Sequence, residues 1–241
     1  SLTAAGLEFS KQMANVLILT EQAIIDSREI SEQEKASLKI GYTNAMIGNK
    51  LLPKLLASAR HQLANVRLSL RSFDLSTGLS NLQRGVFDLI LTTRDTIGAN
   101  PEVEFVPLHQ GHFNVILPIG HRLSDHQILT FSDLENLQLI FFNPLQAPPE
   151  SAALQNTFIQ APGILHYQTA DTVNTAINMV QGGAGLAILP SFAVDTEVSK
   201  VTAIPLDYPV VLDYGVAYLR SRTSPSLVAV VKLIETLMGK I

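Results

Sequence analysis

Apolar residues along this chain follow two different periods, and the change between them falls near Leu38. Over residues 3–30, Phe9, Met13, Val16, Leu17, Ala23, Ile24 and Ile30 recur mainly at spacings of three and four, which predicts one long helix with Thr3 placed to cap it. Thr20 and Ser27 interrupt the stripe, so such a helix is marginal on its own in water and needs a partner. Two partners would serve: the body of the same chain, or the same helix of a second chain, with Phe9, Met13, Val16, Leu17 and Ile24 as the dimerisation seam. The acidic, polar stretch 31–37 then reads as the connection into the body.

From residue 38 short apolar runs alternate with amphipathic segments, as an α/β chain requires. Strands are predicted at 38–43, 66–73 and 87–93, with helices around 48–61 and 76–84 between them, followed by a strand pair at 103–108 and 112–117. A second series runs through a helix at 132–136, a strand at 137–143, a helix near 151–160, a strand at 164–170, a helix at 172–181 and a strand at 185–190. Strands at 201–206 and 212–220 and a helix at 225–239 close the chain. Two such series with a strand and a helix left over predict two lobes with mixed sheets. Lobe one comprises 38–117 and 213–241, lobe two 118–212, and residues 1–37 form the linker helix. In open α/β sheets ligands gather at the carboxyl ends of strands, so two facing lobes make a cleft.

Composition narrows the chemistry. With 46% hydrophobic residues but only 6% aromatic ones, the cores are mainly aliphatic. The absence of cysteine excludes disulfides and thiolate metal sites and fits a cytoplasmic protein. Net charge is −4, of which residues 1–36 carry −3 (three basic against six acidic), so the body is almost neutral and offers no nucleic-acid surface. No apolar run approaches a bilayer span and no basic segment precedes a hydrophobic stretch, so neither membrane nor signal peptide is expected. The run Gly182-Gly183-Ala184-Gly185 follows a helix and precedes a strand, the reverse of a dinucleotide loop, and reads as a helix C-cap with a tight turn. His109, His112, His121 and His126 sit in turns and a polar loop, where exposed turn histidines rather than convergent zinc ligands are the default. No nucleophile elbow, Walker loop or zinc-protease motif occurs, so no catalytic residue, metal or cofactor is expected and the chain reads as a non-enzyme.

The informative polar residues lie at strand ends: Thr43-Asn44 after the first strand, Ser76-Thr77 opening the following helix, Thr92-Thr93 ending the third, Asn143-Pro144 after the first strand of the second series, and Thr169, Asp171 and Thr172 before the next helix. Each has a structural role open to it as a cap or turn former. Together, uncharged hydroxyls and amides beside free helix N–H groups also suit a small ligand. The candidate binding set is Thr43, Asn44, Met46, Ser76, Thr77, Thr92, Phe142, Asn143 and Pro144, for an anionic or aromatic metabolite.

An ordered set of short motifs resembles the LysR-type transcriptional regulators. Leu2-Thr3-Ala4-Ala5-Gly6 resembles the L-T-x-x-G that opens their linker helix, directly after a winged helix-turn-helix. Leu38-Lys39-Ile40-Gly41 with Leu51-Leu52-Pro53 is similar to the opening of their sensor domain, and 66–70 with 82–89 to its V-x-L…L-x-x-G-x-x-D-L stretch. Pro118-Ile119-Gly120-His121-Arg122-Leu123 is similar to P-x-x-H-P-L, with Arg122 in place of the proline. The run 180–190 (VQGGAGLAILP) is the most specific match, to V-x-x-G-x-G-[IL]-[AG]-x-[LV]-P. The resemblance implies a linker helix, a fold like the type 2 periplasmic binding proteins, an effector between the lobes, and a dimer or tetramer. DNA would be read by a domain outside this fragment. It also implies effector contacts at Thr43-Asn44, Ser76-Thr77 and Asn143-Pro144, although no arginine stands in 139–149 to clamp a carboxylate. The alternative of the same fold is an extracytoplasmic solute-binding receptor, which has no use for a helix ahead of the first strand.

Overall fold

The computed structural model describes residues 36–43, 45–161 and 166–239, together with Thr3, Ala5, Gly6, Phe9, Gln12, Met13, 15–20 and Ala23, apart from the side chains of Met46 and Leu75. Asn44, Ile24 and the side chain of Met46, all named above, lie outside the described residues. In chain order the elements are β1 (Ala36–Tyr42), α1 (Met46–Gln62), β2 (Val66–Ser72), α2 (Gly78–Arg84), β3 (Leu89–Thr93), α3 (Arg94–Ile97) and β4 (Val103–Gly111). Then come β5 (Phe113–Pro118), β6 (Leu139–Phe142), α4 (Pro149–Gln160), β7 (Tyr167–Ala170), α5 (Val173–Gln181), β8 (Leu186–Pro190), α6 (Thr196–Ser199) and β9 (Val201–Pro205). β10 (Leu212–Leu219) and α7 (Pro225–Met238) close the chain.

These strands form two five-stranded sheets of one design, β2-β1-β3-β10-β4 and β7-β6-β8-β5-β9. In the first, β1 runs parallel to β2 and β3, and β10 is antiparallel to β3 and β4. In the second, β6 is parallel to β7 and β8, and β5 is antiparallel to β8 and β9. The antiparallel strand of each sheet is the one that has just crossed from the other. This is the two-lobed α/β architecture with mixed sheets that the patterning predicts. One assignment changes: β5, expected in lobe one beside β4, pairs only in the second sheet, so the first crossing falls at Gly111-His112 rather than at 117–118. Two alternating runs separated by a short turn look like a hairpin whether the chain turns back or crosses over.

The strands β3, β6 and β8 are short apolar runs because helices or the other lobe cover both of their faces. On α1 the buried residues Ile47, Leu51, Leu55 and Ala59 are four apart and face β1 and α7, which supply Leu38, Ile40, Val230 and Ile234 to the same core. Pro107 lacks a backbone donor and is tolerated because β4 is a sheet edge. At the end of α5, Ala184 N–H donates to Met179 and Gly183 N–H to Val180, with Gly183 at φ 75°. This is the Schellman ending that only a glycine takes without strain, and it accounts for the glycine run as a turn into β8.

Candidate functional site

The carboxyl ends of the strands meet in a cleft between the sheets. Thr43, Phe73, Asp74, Thr93 and Tyr214 line it from the first lobe, and Phe142, Gln146, Ser151, Asp171, Val173 and Phe192 from the second. Among the described residues, several contacts tie the lobes together beside it. Asp95 on α3 accepts the Glu150 N–H at the first turn of α4, at 2.9 Å. Lys50 on α1 pairs with Asp195 at 2.9 Å, and that hydrogen bond, with one from Val198 N–H, holds the Asp195 carboxyl below the usual carboxylate range. Phe192, buried in the turn after β8, packs against Tyr214 of β10 with ring centroids 5.3 Å apart.

Of the strand-end residues singled out in the sequence, Thr43, Thr93, Phe142, Asp171 and Thr172 stand on the cleft wall. Phe142 is held there by Gln155 of α4, whose amide, oriented by its partners, accepts the Phe142 N–H at 2.8 Å and donates to its carbonyl at 3.3 Å. Ser76, Thr77, Thr92, Asn143 and Pro144 are not among the lining side chains. Thr77 is exposed and occupied locally: its hydroxyl donates to the Asp74 carbonyl (2.9 Å) and accepts from Asn81 Nδ2 (3.3 Å). Ser76 is exposed beside it, and Phe73 and Asp74, just ahead of both, take the wall instead. Asn143 donates to Asp171 (2.9 Å) and accepts from the Leu145 N–H (3.1 Å), which closes its own turn, while Pro144 is exposed. On β3 it is Thr93, not Thr92, that lines the cleft. Successive side chains on a strand point to opposite faces, and Thr92 turns away to pair its hydroxyl with that of Thr96 at 2.8 Å.

Two contributors carry no strand-end signal that singles them out. Tyr214 lies inside β10, and Phe192 follows β8, where the strand-end rule points to 190–193 once applied to that strand. Electrostatically the described lining has no Lys, Arg or His; its charged members are Asp74 and Asp171. The N-terminus of α1 opens at Ala45, which lines the cleft and provides no side-chain cap, so first-turn amides remain available as donors. Thr93 Oγ1 and the Tyr214 hydroxyl are buried with no partner among the described residues. An unpaired buried polar group costs about 1–3 kcal/mol, so each is a point where an incoming polar atom would gain.

The family model described as "LysR substrate binding domain" matches residues 31–239. Among curated proteins the chain is 24% identical over 209 residues to the Hca operon transcriptional activator HcaR of Escherichia coli (strain K12), covering 86% of this chain and 69% of HcaR. Among solved structures, HinK, a LysR family transcriptional regulator from Pseudomonas aeruginosa, superposes with a TM-score of 0.71 at 20% identity, covering 100% of this chain and 82% of that one. The BenM effector binding domain with its effector benzoate gives a TM-score of 0.69 at 17% identity, covering 86% and 94% respectively.

Proposed function

Because the chain belongs to the LysR substrate binding domain family, whose relatives here are transcriptional regulators rather than enzymes, we propose that it is the effector-sensing part of a LysR-type regulator. In this reading a small molecule binds in the interlobe cleft and shifts the arrangement of the lobes, and with it the geometry of an oligomer that presents DNA-binding domains in the cytoplasm. The observation that carries the reading is the cleft itself: concave, mainly apolar, lined from both sheets and furnished with a few convergent polar groups. A ligand that touches both lobes has different contacts in open and closed arrangements, and only such a difference moves an equilibrium. Carrying a balance from 1:99 to 99:1 takes about 5.5 kcal/mol. A handful of hydrogen bonds at roughly 1 kcal/mol each, with apolar contact, approach that figure when several subunits respond together.

Calorimetry of the chain against a panel of small metabolites tests the reading, with Val173→Trp as the cleft-blocking variant. Val173 is half-buried at the start of α5 and lines the cleft, so an indole there fills ligand space with little cost to the core. Ligands bound by the parent are expected to lose at least tenfold in affinity for the variant. Ligands that bind both equally would place the site elsewhere.

The assembly half of the proposal rests on the N-terminal stripe. Phe9 and Leu17 are 67% and 59% exposed, and Met13 and Val16 are exposed as well, so these side chains do not pack on the body of their own chain. A second copy is the occupant that turns this apolar face into a seam. Leu17→Asp would put an unpaired charge in that seam at a cost of several kcal/mol, so sedimentation should show the variant's dimer dissociating at concentrations where the parent remains associated. A parent that is monomeric at 100 μM-scale (about 10⁻⁴ M, roughly −5.5 kcal/mol) would contradict it.

A further inference from the structure

Five side-chain oxygens are buried without a hydrogen-bond partner among the described residues, and two of them, Thr93 Oγ1 and the Tyr214 hydroxyl, belong to side chains on the cleft wall. Thr93 and Tyr214 stand directly opposite one another in the antiparallel β3–β10 pair, so both leave the sheet on the same face. They are 9% and 1% exposed. Burial pushes the Tyr214 phenol up, so it stays protonated and able to donate. Two adjacent buried hydroxyls, both unpartnered among the described residues and both on the cleft, are arranged for a polar group supplied from outside the chain.

The charges around them restrict what that group belongs to. The lining carries Asp74 and Asp171 and no basic side chain among the described residues. Two lobe-one cations are engaged elsewhere, Lys50 with Asp195 and Arg94 with Asp213 and the Phe105 ring. The α1 N-terminus contributes roughly half a positive charge, against two full negative ones. A carboxylate entering this cleft meets no counter-ion among the described residues. Phe73, Phe142 and Phe192 offer apolar ring surface to the rest of the ligand.

We propose that the Tyr214 and Thr93 hydroxyls are the specificity-determining contacts of the effector, and that the effector is a neutral or amine-bearing aromatic molecule rather than a carboxylate. The inference rests on the cleft reading above. Three probes of nearly equal size separate the charge classes: benzamide, benzylamine and benzoate. Calorimetry with the 241-residue chain is expected to show benzamide or benzylamine binding at least tenfold tighter than benzoate. Tyr214→Phe and Thr93→Val should each weaken the favoured probe about tenfold, with unliganded melting midpoints at or above that of the parent, because each removes an orphaned hydroxyl. Benzoate as the tightest probe, binding by none of the three, unchanged affinity in both variants, or a fall of several degrees in their unliganded midpoints would overturn the inference. Val173→Trp keeps the two proposals apart. Benzoate binding that this variant abolishes sinks the charge class and leaves the sensing function standing, whereas probe binding that it leaves intact removes the cleft reading itself.

Discussion

Gly215→Ala is expected to lower the melting midpoint by roughly 6–12 °C, the equivalent of about 3 kcal/mol in a domain of this size. A Cβ at Gly215 would lie 2.2 Å from the Val106 carbonyl oxygen and 2.7 Å from the Phe105 ring. The ring could swing aside, but the carbonyl belongs to β4, the neighbouring strand, and moves only if the strand moves. The crowding has a local cause. Between Tyr214 and Gly215 the β4–β10 register slips, with Tyr214 opposite His109 and Gly215 opposite Pro107, so Leu108 is an extra residue on β4 and the strands kink toward each other. A glycine is what admits that approach. Gly120→Ala is the control: it has a left-handed φ of 78° and nothing within 4 Å of a Cβ, so it incurs only the conformational penalty of about 1–2 kcal/mol. Near-equal melts for the two variants would show that the close approach at β10 is not what glycine serves. A displaced β10 also carries Tyr214 with it, so Gly215→Ala should weaken ligands of the cleft without touching them.

How far the sequence could be read depended on whether a pattern was long enough to carry its own period. The helix around 48–61 and the apolar runs of β3, β6 and β8 were legible, and two series with a strand and a helix left over predicted two lobes. Short elements were not. The helix expected at 132–136 is a single 3₁₀ turn, Ser132–Leu134, held at its start by Thr130, whose N–H and hydroxyl both donate to Asp133. Glu135 is then extended and Asn136 sits at φ 57°, which ends it. The four-residue α3 has no period to detect, yet it carries Asp95 and its tie to α4. For the cleft, the strand-end rule pointed to turns that line it but did not separate the side chains on its wall from their neighbours. Thr92 and Thr93 are chemically identical in sequence, and only the pairing of β3 with β10 decides which one faces the cleft. Tyr214 looks like any aromatic in an apolar strand, and what sets it apart is a hydroxyl that nothing among the described residues satisfies.

Phe192→Ala should have the largest effect on both stability and sensing, because this ring is wedged where the two crossing strands meet. Ser191 exchanges backbone and side-chain hydrogen bonds with His112 at the first crossing, accepting the His112 N–H on its hydroxyl at 3.3 Å and donating its own N–H to the His112 carbonyl at 2.8 Å. That docking delivers Phe192 against Gly111, where a Cβ would come within 2.6 Å of the ring. The same ring meets His109 edge-on and Tyr214 at a tilt, and those two residues are cross-strand partners in β4 and β10. One side chain of lobe two therefore touches both routes by which the chain passes between lobes. Truncating a buried phenylalanine costs about 3–5 kcal/mol through lost contact and the cavity left behind, or roughly 6–20 °C in midpoint. The cleft loses a lining ring as well, so affinity for aromatic probes should fall by more than tenfold. Amide exchange distinguishes a hinge wedge from an ordinary core residue. If Phe192 couples the lobes, protection drops first at 109–113 and 212–215 while the centres of β1 and β6 stay protected, whereas uniform loss across both sheets would mean that the ring merely fills space.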